Sequence, residues 1–422
     1  MNKSWTIRAM VYVGIGLMFL FAVRFSDTFF GRRPEGALPP VNIDRTTEDH
    51  LENGRWDSAL DDLIPLYDDT SDSNLEAYIA LCFKEIAVTA FLDRRYGEAV
   101  EKAESGLAYT GNDADLHYIL GTARLAQSEY GAAEHAFNKV LELNPANVDA
   151  YKQLGEIHYL RNELQNAESA WSRALALGPG DAALEKRLTA LRKQLQLNET
   201  LDTDDNLHFS VAYDGETMHR FEHTVLDILE NAYYDIGGRL QIYPKRLVSV
   251  TLLTRQAFFD VTGTPDWTAG LYEGQIKIPV AGADPIGLKT ILYHEYTHAV
   301  LFDQIGSRCP WWLNEGLAQY LSGDGDGSPG NGVSLPGANR PSDDTTLSAL
   351  GSVFGLDEEE VARSYALALS GVRYFASSFG EAGIQKIILL MAEGDSFDTA
   401  FHTTTGFSFE QFEENWRRYG NS

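Results

Sequence analysis

A recurrence every thirty-four residues constrains the first half of this chain more than any other feature of its sequence. The recurring positions are Leu120, Gly121, Ala133, Phe137 and Pro145, followed by Leu154, Gly155, Ala167, Trp171 and Pro179. A weaker copy places Ala87 and Ala99 at matching positions, and Trp56 to Leu60 fits the second helix of a fourth, degenerate unit. A unit of this kind cannot bury its own apolar face, so three or more units must stack.

This period and its small residues resemble the tetratricopeptide repeat, in which paired helices pack closely. Residues 184–197, with the sequence LEKRLTALRKQLQL, are typical of a charged closing helix. The resemblance implies an all-α solenoid over residues 44–197. We expect a concave groove of this solenoid to bind a peptide or a partner protein, and the alternative is a passive spacer.

Two histidines one helical turn apart dominate the second half of the chain. His294 and His298 enclose Glu295 in the sequence HEYTH, and on a helix both imidazoles lie on one face, close enough to hold one metal ion. Glu315 follows in the sequence WWLNEG, on what is predicted to be the next helix. Two neutral imidazoles and one carboxylate suit zinc (Zn2+) and leave a fourth position open for water, as a catalytic site requires.

The helical wheel of this segment supports a metal site. Its apolar face consists of Leu288, Ile291, Leu292, Ala299 and Phe302. Glu295 points into the middle of that face, while the histidines lie along its edge. A buried carboxylate is costly unless a charged partner receives it. The alternative is a pair of solvated histidines beside a buried, protonated glutamate.

A second segment, residues 219–223, has the sequence HRFEH, which is the inverted form of the zinc signature. The apolar residues of its helix gather on one side: Met218, Phe221, Val225, Ile228, Leu229 and Ala232. His219 and His223 face the other way, so we interpret them as solvated surface residues rather than ligands.

Composition excludes one class of function. The 422 residues carry a net charge of -27 with no basic stripe, which argues against nucleic-acid binding and fits solubility by repulsion or basic partners. Hydrophobic content of 44% and aromatic content of 11% describe a folded protein. The cysteines, Cys82 and Cys309, fall in different predicted domains, so we expect no disulfide between them and no sulfur in the metal site.

Residues 1–30 combine early positive charge with an apolar run from Ala9 to Val23, and counting from Trp5 to Phe25 gives a plausible single membrane span. A cleaved signal peptide has the same shape, but no pair of small residues follows the apolar run. We therefore expect an uncleaved membrane anchor, with the soluble domains extracytoplasmic, on the periplasmic side of a bacterial inner membrane.

The predicted fold class is α+β, with an N-terminal membrane helix, an all-α repeat solenoid and an α+β zincin-like domain. Predicted boundaries place the anchor at 1–30, linkers at 31–43 and 198–206, the repeats at 44–197 and the last domain at 207–422. Within the last domain, residues 207–213, 247–253 and 270–280 are predicted strands because they alternate or are rich in β-branched and leucine residues.

The order of these parts resembles the gluzincin metallopeptidases, and most of all the small peptidase MA-like domains that are fused to tetratricopeptide repeats. The resemblance implies that His294, His298 and Glu315 bind zinc and that Glu295 is the catalytic base. It also implies an oxyanion-stabilising role for Tyr365, although a plain core tyrosine is the alternative and Tyr374 is nearby. One departure is Gln319, which stands where thermolysin-like members carry an aspartate that orients a ligand histidine.

These observations predict a membrane-anchored zinc metallopeptidase that hydrolyses peptide bonds with zinc-activated water, while its repeats recruit a protein substrate or partner. Strand 270–280 is predicted to pair with an extended peptide substrate. A different class of function is a non-catalytic repeat scaffold with a vestigial metallopeptidase domain. An aminopeptidase needs an acidic anchor for a free amine, and no such residue is located in the sequence.

Overall fold

The computed structural model describes residues 39–213, 215–264, 268–280, 285–323, 346–351 and 358–420. By its internal contacts the chain divides into two compact units. Of the residues that the structure describes, 39–159 and 163–185 form the repeat unit. Residues 160–162 and those described from 186 to 420 form the second unit, called the peptidase unit after the resemblance given above. The domain boundaries given above stay predictions, although a short strand, Asp202–Asp205, lies within the predicted linker 198–206.

The repeat unit is a succession of paired helices. Helices α1 to α8 are Arg45–Glu52, Trp56–Thr70, Ser73–Leu92, Tyr96–Thr110, Ala114–Ala126, Tyr130–Leu143, Val148–Leu160 and Leu164–Leu177. Three of them, α1, α3 and α5, begin at an aspartate whose side chain accepts a backbone N–H of the first turn. Short connections between helices favour antiparallel pairing of neighbours.

Recurring small residues explain how these helices pair. A Cβ atom built at Gly121 of α5 would lie 2.9 Å from the ring of Phe137 on α6. At the equivalent place one repeat later, a Cβ atom at Gly155 of α7 would overlap the indole of Trp171 on α8. Each aromatic ring therefore fills the space that a side chain on the facing helix would need, as the repeat pattern predicted.

The peptidase unit contains a mixed sheet and a set of helices. Its helices are α9 (Ala182–Asn198), α10 (Gly215–Leu240), α11 (Arg255–Thr262), α12 (Pro285–Ile305), α13 (Trp311–Ser322), α14 (Glu358–Ala392, with a break at Gly380), α15 (Phe397–Thr405) and α16 (Phe409–Gly420). The first residues of α9, before Lys186, belong to the repeat unit. Its strands are β1 (Asp202–Asp205), β2 (Phe209–Tyr213), β3 (Val248–Leu253), β4 (Leu271–Tyr272) and β5 (Ile276–Pro279).

The five strands are arranged in the order β1-β2-β3-β5-β4. Strands β2, β3 and β5 are parallel, whereas β1 and β4 run antiparallel at the two edges. The segment 270–280, predicted as one strand, is instead a hairpin of β4 and β5. Gly274 has φ of +74° in its turn, a conformation that lets the chain reverse here.

Helix α12 lies at the centre of the peptidase unit. Every residue from Thr290 to Phe302 is buried. Tyr296 contacts Phe209 of β2 with ring centroids 5.5 Å apart, and Phe302 contacts Tyr272 of β4 at 5.6 Å. Helices α13 and α14 also pack on α12. The sequence predicted that one face of α12 is buried, and α13 and α14 bury its other face as well.

The expected fold class requires one correction. Among the helices that the structure describes, none is long and apolar enough to cross a membrane. Residues 1–30, the predicted anchor, lie outside the described residues. The described architecture is a helical repeat unit followed by a mixed α/β unit. The N-terminal membrane helix, the membrane as a partner and the periplasmic location that depended on the anchor are therefore withdrawn.

Candidate metal centre

Two consecutive helices present the four residues of the predicted site. His294, Glu295 and His298 lie on α12, and Glu315 lies on α13. A 3-10 turn, Gly306–Arg308, joins the end of α12 to the loop before α13. The i, i+4 spacing on α12 places both imidazoles on one side of the helix, as predicted, with ring centroids 4.8 Å apart.

The two imidazoles and the Glu315 carboxylate converge on a common point. Ligand atoms of His294, His298 and Glu315 all lie within 4.8 Å of one another. The Nε2 atoms of His294 and His298 are 3.5 Å and 3.6 Å from Oε2 of Glu315. These separations exceed ordinary hydrogen-bond lengths. They approach the roughly 3.4 Å between two ligands that each lie about 2.0–2.1 Å from one tetrahedral ion.

Burial makes this group of polar atoms unusual. The side chains of all three residues have no solvent exposure. Both ring nitrogens of His298 and both carboxylate oxygens of Glu315 are buried with no hydrogen-bond partner among the described residues. Buried polar atoms without partners are costly, and a cation at their common point would satisfy them. The donor set therefore fits zinc.

The electrostatics of the group also favour a positive charge. Burial opposes a proton on His298, but Glu315 and Glu295 outweigh burial and raise the pKa of His298 to about 9. Burial and the neighbouring His298 lower the pKa of His294 to about 4. Burial opposes the charge on Glu315, yet His298 and His294 lower its pKa to about 2. Without a metal, a proton kept on His298 balances the negative charge of Glu315.

Glu295 lies beside the ligand group and is 1% exposed. Burial raises the pKa of its carboxyl to about 8, and the neighbouring His298 acts in the opposite direction. Its oxygens make no hydrogen bond of normal geometry among the described residues. A carboxyl with a pKa near neutrality is suited to taking up and releasing a proton.

Tyr365, the other predicted catalytic residue, lies on α14 and is 5% exposed. Its ring contacts Trp311 at the start of α13, with centroids 5.4 Å apart. Gln319 joins the same two helices, because its Nε2 donates to the carbonyl oxygens of Glu315 (3.2 Å) and Tyr365 (3.0 Å). Gln319, which stands where thermolysin-like members carry an aspartate, therefore connects α13 and α14.

Two neighbours of Glu315 belong to the sequence motif around it but were given no role of their own. Asn314 is buried, and its side chain contributes to the raised pKa of His298. A Cβ atom at Gly316 would lie 2.5 Å from the carbonyl oxygen of Ala368, so Gly316 lets α14 approach α13 closely. Their positions on either side of Glu315 in the sequence NEG were the available signal.

The inverted zinc signature, HRFEH at residues 219–223, does not lie among the converging ligands. Residues 219–223 lie on α10, and His223 is exposed. The side chain of His219 lies outside the described residues. Among the groups that the described residues form, the one with metal-binding geometry is His294, His298 and Glu315.

Comparison with known families agrees with this architecture. The family model described as Peptidase MA superfamily matches residues 254–421, and the model described as Tetratricopeptide repeat matches residues 118–182. The chain therefore carries a peptidase MA superfamily domain behind tetratricopeptide repeats, as its two sequence signatures predicted. A search of curated proteins found no match.

Solved structures of MamA also match the chain. The structure titled "Crystal structure of MamA" has 19% identity and a TM-score of 0.30, covering 38% of this chain and 89% of MamA. A second, titled "MamA MSR-1 C2", has 20% identity and a TM-score of 0.28, covering 36% of this chain and 85% of the other. Similarities of this size carry no structural or functional argument.

Proposed function

We propose that the protein is a zinc-dependent peptidase that hydrolyses peptide bonds, and that its repeats recruit a protein substrate or partner. The observation that carries this proposal is the convergence of three buried ligand atoms within 4.8 Å, next to a buried glutamate. The family match to the peptidase MA superfamily supports the same reaction class.

His294, His298 and Glu315 would hold the ion. When bound, zinc supplies Lewis acidity, which makes water more acidic and polarises a scissile carbonyl. Glu295 would take the proton of the attacking water and later deliver it to the leaving amine. Tyr365 would donate its hydroxyl hydrogen to the oxygen on which negative charge develops.

The edge strand provides a place for an extended substrate. Among the described strands, β4 is the outermost on its side of the sheet and runs antiparallel to β5. A peptide that pairs with β4 would be held by backbone hydrogen bonds largely independent of its sequence. The chemical class of substrate is therefore an extended polypeptide segment.

The scaffold alternative is not favoured. A domain that had lost catalysis has no need to keep a buried carboxylate beside three convergent ligands, because each such group costs stability. In this chain all four residues are retained and buried. The two functions can be distinguished directly, because a vestigial site would bind zinc without hydrolysing any peptide.

The experiment combines metal analysis with a peptide-library digest of the purified protein. We expect about one zinc per chain and hydrolysis that falls at least a hundredfold in Glu295→Gln, with zinc retained. His294→Ala should lose the zinc, whereas the matched control His223→Ala, in the exposed inverted motif, should keep both zinc and activity. Unchanged hydrolysis in Glu295→Gln would refute the proposal.

A further inference from the structure

Gly270 lies at the start of the edge strand, where that strand meets the helix that carries the predicted base. It immediately precedes β4, whose Leu271 pairs with Lys277 of β5. Ala269 and Leu271, on either side of it, are buried. Gly270 was not singled out in the sequence, since a glycine next to a strand is usually a turn or a bulge.

Glu295 occupies the space that a side chain at position 270 would need. A Cβ atom built at Gly270 would lie 2.9 Å from Oε1 and 3.0 Å from Cγ of Glu295. It would also lie 3.0 Å from Cγ2 of Ile291, one turn earlier on α12. Ile291 is β-branched and therefore stiff, so the helix leaves no free volume for a side chain at position 270.

The close approach at Gly270 is one restraint on the Glu295 carboxylate, and the backbone N–H of Tyr272 on the same strand is another. Neither carboxylate oxygen makes a hydrogen bond of normal geometry among the described residues. A side chain with three rotatable bonds and no hydrogen bond of normal geometry depends largely on packing to hold its position. Ile291 and Glu295 lie on the same helix, so the opposing wall must come from another element, and Gly270 provides it.

We propose that Gly270 is a positioning residue, whose missing side chain lets the edge strand fix the Glu295 carboxylate beside His294, His298 and Glu315. The catalytic part of this inference rests on the proposed function, whereas the positional part does not. An alanine at this position requires a shift of roughly half an ångström to restore ordinary contact distances. Catalytic groups must be held within about that tolerance.

The expected damage is catalytic rather than structural. The carboxylate end of Glu295 is free to yield, so Gly270→Ala should fold and keep the three ligands in place. A misplacement of about 1 Å costs roughly a hundredfold in rate, so half that distance predicts a decrease of about tenfold.

The first test compares Gly270→Ala with Gly383→Ala in the full-length, zinc-loaded chain. A Cβ atom at Gly383 of α14 would lie 3.0 Å from the ring of Phe375, a similar steric conflict that involves no site residue. With the library peptide that the wild type cleaves fastest, we expect Gly270→Ala to lower kcat about tenfold, with KM and bound zinc within twofold. Gly383→Ala should retain the wild-type kcat.

Two results would overturn the inference in this test. One is a kcat for Gly270→Ala within twofold of wild type. The other is a loss of bound zinc that accounts for the whole decrease, because the substitution would then act on the ligands and not on Glu295.

A thermal-unfolding cycle tests the contact without any activity. Gly270→Ala should lower Tm by about 2 °C in the wild-type background. It should lower Tm less in Glu295→Ala, which removes two of the three close contacts. Equal shifts in both backgrounds would refute the placement of Glu295 by Gly270. If the wild type cleaves no peptide but the shifts differ, the proposed function fails while this placement stands.

Discussion

The repeat unit and the peptidase unit both use glycines where two elements touch, but they place the partners at different distances along the chain. Gly121 faces Phe137 and Gly155 faces Trp171, so each partner lies sixteen residues further along. In the peptidase unit Gly316 faces Ala368, fifty-two residues away and on the other side of a long connection. Contacts in the repeats are local and periodic, whereas those around the site are not.

This difference shows where sequence reasoning is effective. A local contact that recurs leaves a period in the sequence, because each copy needs the same small residue and the same ring. A contact made once between distant elements leaves a single glycine with no pattern around it. Substitutions that add one methyl group at each kind of contact test this distinction.

The largest effect is expected at Gly155. Alanine there overlaps the indole of Trp171, whose Nε1 donates to the carbonyl oxygen of Lys152 (3.2 Å) and so cannot move freely. We expect Gly155→Ala to lower the free energy of unfolding of the repeat unit by about 3 kcal/mol, and Gly121→Ala by about 1 kcal/mol. Thermal unfolding followed by circular dichroism measures both.

Gly131→Ala is the control for these substitutions. Gly131 lies exposed on α6 with no atom near a built Cβ, so alanine should stabilise the helix by about 0.5–1 kcal/mol. If Gly155→Ala is no more destabilising than Gly131→Ala, the close packing inferred for the repeats is wrong.

The next effect concerns the non-local contact at Gly316. A Cβ atom there meets a backbone oxygen, that of Ala368, which is less able to yield than a side chain. We expect Gly316→Ala to destabilise the peptidase unit by about 2 kcal/mol and to reduce bound zinc, because Glu315 is the adjacent residue. Zinc per chain and Tm, measured together, check this expectation.

Gly238→Ala is the matched substitution in the peptidase unit. Gly238 is exposed on α10 and has no atom within 4 Å of a built Cβ. Full zinc content in Gly316→Ala would show that the approach of α14 is unrelated to the geometry of the site.

A pH effect follows from the charge of the buried ligand group. His298 has a raised pKa of about 9 in the zinc-free protein, so at pH 7 zinc must displace its proton. Apparent zinc affinity should therefore rise about tenfold per pH unit between pH 7 and 9 and level off above the pKa. Competition with a chelator at a series of pH values measures this slope, and an affinity that does not change between pH 7 and 8.5 contradicts it.

The smallest effect is expected at Gln319, which links the two helices of the non-local contact. Gln319→Ala removes two hydrogen bonds to backbone oxygens, which should lower the free energy of unfolding by about 1–2 kcal/mol. If Tyr365 acts in catalysis, kcat should fall a few-fold. Gln304→Ala is the control, because it removes two hydrogen bonds outside the site, which the Gln304 side-chain amide donates to the Tyr243 carbonyl oxygen and to Asp303. Equal losses in both variants would mean that Gln319 has no particular role.

Much of the site could be predicted from the sequence, but not all of it. The spacing of His294 and His298 was sufficient to predict that their imidazoles lie close together, because residues four apart on a helix share one face. The distance in space between Glu315 and these histidines could not be predicted, because a loop and a 3-10 turn lie between the two helices. The hairpin within residues 270–280 was missed because both of its strands are buried and its turn is short.

By itself the sequence determined the repeat period and the one-turn spacing of His294 and His298, because each depends on spacing along one helix or between paired helices. Only the tertiary structure decided that the two imidazoles and Glu315 lie fully buried around one point, and that Glu295 fills the space beside Gly270. The physical reason is that burial and close approach depend on which elements pack together, and α12, α13 and the edge strand are brought together by the whole fold rather than by any local pattern.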